Sequence, residues 1–300
     1  MRQSGPMLVP LDGSELAEGA LPYAVALADA LHERIVLLSA WEGPGDELAG
    51  HFPELESELR QKAGEYFSEY LAGVRARLGG GDRVAVEIVQ GPAAPAILDA
   101  VAKLEARMLV IATHGRSGFG RWLYGSTAGR VLRDSPIPVV GVGPQALRSG
   151  RTEVRFRHLM VPLDGSSLAE SALPVTQALA TSAGARVSLV RAVQWAIQAY
   201  PYTLPGAYLP QVDEALEAGA KEYLRRQEGR LRPLDVDAFI VRGSAADALV
   251  DFVAQREIDL VVMTTHARGG VVRAALGSTA DRMLQSNAPV MLLPPEAVGA

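Results

Sequence analysis

Two short segments of the sequence carry residues suited to binding an anion. In the first, an apolar run delivers Asp12 into a turn within residues 10–14, PLDGS. In the second, a glycine-rich stretch at 113–120 is followed by Gly-Ser-Thr at 125–127, where a helix is predicted to begin. Glycines let main-chain amides approach an anion closely, and a helix N-terminus adds unsatisfied N–H donors. The second segment therefore predicts a phosphate site, the alternative being a glycine-rich surface loop with a Ser/Thr cap. For Asp12 the alternative is a carboxylate that only caps the first helix or its turn.

The sequence also contains an internal repeat with an offset of 152 positions. Residues 9–22 read VPLDGSELAEGALP and residues 161–174 read VPLDGSSLAESALP, so the two stretches differ at only two positions. Such a long period indicates a duplicated domain and not a solenoid. We therefore expect one domain over residues 1–147, a second over 156–296, and a linker over 148–155.

Within each copy, short β-branched runs alternate with longer stretches of helical periodicity. Apolar residues spaced three or four apart over 16–31 predict a single helix between the first two strands. This order predicts two tandem Rossmann-like α/β domains, each an open sheet of five parallel strands with helices on both faces. Ligands of such sheets bind at the carboxyl ends of the strands, where both polar segments are expected to meet. In the first copy the predicted strands are 7–11, 34–40, 83–89, 108–113 and 137–142.

Composition excludes several classes of protein. The 300 residues include no cysteine, which rules out disulfides, thiolate nucleophiles and zinc ribbons. No apolar run approaches the roughly 20 residues of a membrane span, and the first residues lack the core of a signal peptide. A formal charge of -5 gives no electrostatic footprint for nucleic acid or an anionic membrane. We therefore expect a cytoplasmic protein with neither as a partner.

Two familiar phosphate motifs do not match. Residues 120–127 have the spacing of a P-loop, but Ser126 stands where the lysine belongs, and Val272 replaces the first glycine in the second copy. The first strand–helix turn, LDGSELAE, lacks the glycines of the dinucleotide fingerprint. The sequence thus argues against a Walker ATPase and against NAD.

The chain resembles a tandem universal stress protein over nearly its full length. Nucleotide-binding members of that family carry Gly-x2-Gly-x9-Gly-Ser/Thr after the fourth strand, and the first copy departs from this pattern only at its leading position, an alanine. The resemblance implies adenine nucleotide alpha hydrolase-like domains with ATP as ligand, with or without Mg²⁺, for which no carboxylate cluster marks a site. It places Pro10, Asp12 and Ala40 around the base and ribose, and Ala112, Gly115, Gly125, Ser126 and Thr127 around the ribose and phosphates.

The second copy departs further from that pattern, because both early glycines are replaced. Threonine at position 264 is β-branched and is the larger obstacle, although its hydroxyl could instead donate to a ligand oxygen. We expect the first copy to bind ATP and leave the second open. Its matching positions are Pro162, Asp164, Ala192, Thr264, Ala267, Gly277, Ser278 and Thr279.

These observations favour an ATP-binding regulatory protein of the stress response, acting on a protein partner that the sequence does not identify. The alternative is a dimerisation scaffold of the same fold that binds no nucleotide. The sequence shows no carboxylate pair, nucleophile–base pair or metal-ligand set, so an enzyme is not indicated beyond slow ATP hydrolysis. The resemblance also implies an internal pseudo-dimer through the last strands, and it leaves open whether two chains pair.

Overall fold

The computed structural model divides into two compact units, Met1–Val154 and Arg155–Ala300. Each unit contains an open sheet of five parallel strands covered by helices. This confirms the predicted fold class of tandem Rossmann-like α/β domains. The structure describes residues 5–43, 53–113, 124–148, 150, 152–194, 210–264 and 276–295.

In the first unit the strands lie in the order β3-β2-β1-β4-β5, and the described pairings are parallel. Chain order reverses between β1 and β4, so the carboxyl ends of these strands form the crevice where open α/β sheets bind ligands. The elements are β1 (Met7–Pro10), α1 (Glu15–Glu18), α2 (Leu21–Leu31), β2 (Ile35–Trp41), α3 (Pro53–Arg77), β3 (Val84–Gln90), α4 (Ala93–Lys103), β4 (Met108–Ala112), α5 (Ser126–Asp134), β5 (Val139–Val142) and α6 (Pro144–Arg148).

The second unit repeats this topology. Its strand order is β10-β9-β6-β7-β8, with β6 and β9 adjacent and parallel as β1 and β4 are in the first unit. The elements are β6 (His158–Pro162), α7 (Ser167–Glu170), α8 (Ala172–Ala183), β7 (Arg186–Val193), α9 (Pro210–Arg230), β8 (Val236–Arg242), α10 (Ala245–Gln255), β9 (Leu260–Thr264), α11 (Ser278–Met283) and β10 (Val290–Leu293).

Burial explains why the central strands are almost entirely apolar. Every residue of β1 and β4 is buried, and Leu8 and Leu109 have no exposed surface. A parallel sheet covered by helices on both faces requires such continuous apolar runs. The edge strand β3 is mostly exposed or half-buried. The rigid centre of the sheet therefore presents the strand ends that carry the predicted site residues.

One predicted element is wrong, because the single helix over 16–31 is two helices. The chain leaves α1 at Gly19 and re-enters α2 at Leu21, with Pro22 in the first turn. Proline lacks the N–H that would bond to the Glu18 carbonyl four residues earlier, so the helix has to restart. Ser14 is the N-cap of α1, since its Oγ accepts a hydrogen bond of 3.2 Å from the amide of Ala17.

Candidate functional site

A cavity of about 250 Å³ opens at the carboxyl edge of the first sheet. The ends of β1, β2 and β4 form its floor, and the first turns of α1, α4 and α5 form its walls. It therefore lies at the point where the order of the strands reverses. The lining residues are Pro10, Leu11, Asp12, Ala17, Leu38, Ala40, Ala93, Ile97, Ile111, Ala112, Gly125, Ser126, Thr127 and Ala128.

The structure brings seven of the eight residues predicted for this site together around one cavity. Gly115 lies outside the described residues, so its position is not known. The predicted residues lie at three strand ends and one helix start, and they are up to 117 positions apart in the sequence. The fold nevertheless places them around the same cavity. The seven are Pro10, Asp12, Ala40, Ala112, Gly125, Ser126 and Thr127.

The side chain of Asp12 is held in a tight turn by hydrogen bonds from Ser14, two positions later. Its Oδ1 accepts hydrogen bonds from the Ser14 amide at 3.0 Å and from the Ser14 hydroxyl at 2.6 Å. The structural interpretation of Asp12 as a turn cap is therefore correct. The same side chain also lines the cavity, so capping and facing a ligand are compatible roles for this carboxylate.

The N-terminus of α5 supplies hydrogen-bond donors, although not from the residue that the glycine pattern suggests. We expected the Gly125 amide to face an anion, but this amide donates to the Thr113 carbonyl at 3.0 Å, so that expectation is wrong. As a glycine at the N-cap position, Gly125 has no side chain with which to accept a hydrogen bond from the first turn of α5. The amides of Ser126, Thr127 and Ala128 lie in the first helical turn, where N–H groups have no intrahelical partner. The amide donors at the cavity therefore begin at Ser126, one residue after Gly125.

Sequence reasoning missed the apolar part of the lining. Leu38 precedes Ala40 by two positions on β2, so both side chains point to the same face of the strand, as the period of a strand requires. Ile97 lies one turn into α4, and Ile111 lies next to Ala112. Strand alternation from Ala40 alone could have identified Leu38, whereas the contribution of α4 depends on helix packing.

The second unit reproduces the aspartate turn almost without change. Oδ1 of Asp164 accepts from the Ser166 amide at 2.9 Å and from the Ser166 hydroxyl at 2.6 Å. The Ser166 hydroxyl oxygen in turn accepts from the Ala169 amide at 3.1 Å. The duplicated motif therefore encodes the same local structure in both units.

The other predicted residues of the second unit occupy the matching strand ends and helix start. Pro162 ends β6, Ala192 lies near the end of β7, and Thr264 ends β9. Gly277 is the N-cap of α11, whose first turn contains Ser278 and Thr279. Ala267 lies outside the described residues.

The two units differ where β4 and β9 end. Thr264 is buried, and its hydroxyl donates to the carbonyl of Leu168 in α7 at 3.0 Å. The hydroxyl is thus bonded within the protein. In the first unit the matching residue is Ala112, which lines the cavity opposite Ala17 of α1. The threonine hydroxyl therefore adds a hydrogen bond between β9 and α7 that the alanine side chain of Ala112 cannot make in the first unit.

The helix start after this strand differs as well. Gly125 has φ -60° and ψ 149°, an extended conformation open to any residue. Gly277 has φ 94° and ψ 142°, which is accessible in practice only to glycine. Helix α5 has nine residues and α11 has six. The chain therefore enters the two helices through different backbone conformations.

Behind the aspartate turn, each unit places a tyrosine beside a glutamate–arginine ion pair, and this tyrosine is half-buried in the first unit and buried in the second. Burial and the negative charge of Glu18 raise the pKa of Tyr70, and Arg77 pairs with that glutamate. Burial and Glu170 raise the pKa of Tyr223 to about 12. In the second unit the Arg191 guanidinium also lies 4.8 Å from the centre of the Tyr223 ring, and this charge opposes the shift.

Within the described ranges, no three His, Asp or Glu side chains are grouped closely enough to hold a metal ion. None of the helices that the structure describes is both long and apolar enough to cross a membrane.

The fold and the cavity define a tandem α/β protein with a crevice at the switch point of its first sheet. The sequence profile of the universal stress protein family matches residues 4–143 and 155–294. The chain belongs to the universal stress protein family.

Individual relatives agree with this assignment. A universal stress protein of Mycolicibacterium smegmatis is 28% identical over 299 residues, covering 96% of this chain and 97% of its own. Universal stress protein Rv2005c of Mycobacterium tuberculosis is 28% identical over 182 residues, so this match spans 61% of the chain and 59% of the relative. The crystal structure of a universal stress protein from Archaeoglobus fulgidus shares the fold, with a TM-score of 0.66 at 22% identity over 98% of this chain and 99% of that one.

Proposed function

We propose that the first unit binds ATP and that the protein is a nucleotide-dependent regulator in the stress response. The observation that carries this proposal is the cavity of about 250 Å³, which combines an apolar floor, a carboxylate and a helix N-terminus. Ligand pockets are typically apolar with a few placed polar groups, and this cavity has that composition.

The cavity offers distinct surroundings to the parts of a nucleotide. Leu38, Ile97 and Ile111 give apolar surface for a flat base. The Asp12 carboxylate accepts hydrogen bonds, which suits a ribose hydroxyl or an exocyclic amine. These contacts would hold the nucleoside at the strand ends, beside the start of α5.

The first turn of α5 suits the phosphates. Three amides without intrahelical partners, those of Ser126, Thr127 and Ala128, lie beside two side-chain hydroxyls. The positive end of the helix dipole favours anions at the same place. A Mg²⁺ ion bound with ATP would be held mainly by the phosphates, as is usual for this ion.

We further propose that each chain binds one ATP molecule. Thr264 bonds to α7 where the first unit has a cavity-lining alanine, and α11 begins with a different backbone conformation. Both differences act against a second site. The protein partner and any association between chains remain predictions.

The test is the double variant Gly125→Val/Ser126→Ala in the full chain. Gly125 has φ -60°, which valine adopts without strain, so the change adds volume to the cavity wall and leaves the fold intact. Isothermal titration calorimetry with ATP should show one site per chain in the wild type and none in the variant. Ser278→Ala/Thr279→Ala is the matched control at the start of α11, and it should leave affinity and stoichiometry unchanged.

Unchanged ATP affinity in the Gly125→Val/Ser126→Ala variant would refute the site. Absence of ATP binding to the wild type in equilibrium dialysis at millimolar concentration would instead favour the scaffold without nucleotide. Mass spectrometry of gently purified protein would identify a ligand that co-purifies and its ratio per chain.

A further inference from the structure

A buried histidine at the amino end of the second sheet takes no part in the proposed site. His158 is the first residue of β6, at the edge opposite the strand ends that carry Asp164. Only 6% of its surface is exposed. A titratable group this deeply buried depends strongly on which groups surround it.

Both ring nitrogens of His158 contact polar groups. Nε2 lies 2.7 Å from the Ser188 hydroxyl oxygen on β7. Nδ1 lies 3.1 Å from the Arg256 carbonyl at the end of α10 and 3.0 Å from Nη2 of Arg186 on β7. A neutral ring can bond to Ser188 in either tautomer, because the hydroxyl both donates and accepts.

A second proton on the ring changes these contacts. The charged ring can donate to the Arg256 carbonyl and to Ser188, but its positive charge then lies 3.0 Å from the Arg186 guanidinium in a site closed to water. Two like charges at this distance repel strongly where the dielectric constant is low. Arg186 is exposed as a residue, so its side chain has solvent into which it can move.

The first unit lacks this arrangement. At the offset of 152 positions, Pro6 stands in place of His158 and Val36 in place of Ser188. The same corner is instead held by the Arg107–Glu33 ion pair, with an N–O distance of 2.6 Å. Neither arginine nor glutamate changes its charge in the range where histidine titrates. The Arg107–Glu33 ion pair therefore keeps both of its charges in mild acid.

We propose that His158 is a pH-sensitive element that loosens the amino ends of β6 and β7, in the second unit only, when its ring takes up a second proton. The device requires no ligand and is independent of the ATP site. Mild acidification would then loosen these strands of the second unit and leave the first unit unchanged.

The surrounding charges set the direction of the effect. Burial and the Arg186 guanidinium lower the pKa of His158, and burial has the largest effect. The Arg256 carbonyl and the carboxylates of Asp259 and Asp237 act to raise it. The net result is a lowered pKa. The unfolded chain, with a histidine pKa of about 6.5, therefore binds the proton first as the pH falls. Stability is full above that value and is lost as the pH falls from there toward the lower pKa of the folded state.

Hydrogen–deuterium exchange of the full chain at pH 7.5 and 5.5, corrected for intrinsic rates, tests the proposal. Peptides covering 158–162 and 186–193 should lose protection severalfold at the lower pH, while those covering 7–10 and 35–41 should not. His158→Gln keeps a donor and an acceptor but cannot titrate, so the loss should disappear. Equal responses of the two units would overturn the proposal.

Arg186→Met provides a second test in case His158→Gln does not fold. Removing this exposed guanidinium should raise the pKa of His158 and reduce the loss of protection at pH 5.5. An NMR titration of the imidazole signals measures that pKa directly in both proteins, with exposed His32 as reference. A wild-type pKa at or above 6.5, or one that Arg186→Met leaves unchanged, would contradict the proposal.

Discussion

The turn after the first strand and the end of the fourth strand have diverged to different extents between the two units. The Asp12 and Asp164 turns share the same hydrogen bonds to within 0.1 Å. By contrast, Ala112 lines a cavity, while the matching Thr264 is hydrogen-bonded to a helix. The turn starts a helix in both units, so it has the same structural role twice. If only the first unit binds a ligand, as proposed, the residues at the end of β9 were free to change, and the repeated motif then marks structure more reliably than function.

The largest expected effect comes from copying the second unit into the first with Ala112→Thr. The added side chain would enter the cavity and could donate to the Leu16 carbonyl, which stands at the position of Leu168. Overpacking costs about 1–3 kcal/mol, and if binding of ATP has to overcome this cost, its affinity falls by about 5- to 150-fold. Calorimetry with ATP measures the loss. If Ala112→Thr binds ATP with wild-type affinity, the residue at this position does not account for the proposed difference in ATP binding between the two units.

The reciprocal variant, Thr264→Ala, tests whether one residue is sufficient. Loss of the hydrogen bond to Leu168 should cost about 1 kcal/mol of stability. We expect the stoichiometry to stay at one ATP per chain, because the conformation of Gly277 and the short α11 are unchanged. Binding of a second ATP by this variant would mean that Thr264 alone prevents ATP from binding to the second unit.

The two helix-start glycines should differ in what they contribute to stability. Gly277→Ala forces a side chain into a conformation with φ 94°, at a cost of about 1–3 kcal/mol. Gly125→Ala carries no such strain at φ -60° and should change ATP affinity more than stability. Urea unfolding curves of the two variants measure this difference. Equal destabilisation would contradict the distinction between the two helix starts.

Residue types and spacing were sufficient to predict the fold, and together with the family resemblance they identified seven of the fourteen residues that line the cavity. Strand ends follow from β-branched runs, and parallel topology brings Asp12 and Ser126 to one edge. Sequence could not predict that the Gly125 amide bonds to Thr113, because this bond depends on how the chain returns from β4 to α5. It also could not predict the partner of the Thr264 hydroxyl, which belongs to a helix 96 positions away.

The N-cap serines should have equal structural effects but different functional effects. Ser14→Ala and Ser166→Ala each remove a cap to the first helix and should each cost about 1 kcal/mol. Ser14 also orients the Asp12 carboxylate, so Ser14→Ala should weaken ATP binding severalfold, whereas Ser166→Ala should not. Thermal unfolding and calorimetry measure the two quantities. Weaker ATP binding in Ser166→Ala would indicate that the second unit contributes to the site.

The smallest expected effect concerns the tyrosines behind the turns. The Arg191 guanidinium lies over the Tyr223 ring and holds its pKa lower than burial and Glu170 alone would, while the matching residue in the first unit is Ser39. We therefore expect Arg191→Ser to raise the pKa of Tyr223 above the present value of about 12, and Arg191→Lys to change it less. The tyrosinate absorbance of each variant, minus that of its Tyr223→Phe derivative, measures this pKa.

The same substitution has a defined consequence for stability at high pH. An unfolded tyrosine loses its proton near pH 10. Because the folded state holds the Tyr223 proton to about pH 12, the second unit loses stability as the pH rises from the lower of these values toward the higher. Arg191→Ser should extend that loss to still higher pH, and Tyr223→Phe should remove it. A Tyr223 pKa that falls in Arg191→Ser would show that the guanidinium acts mainly by excluding water from the ring, and not through its charge.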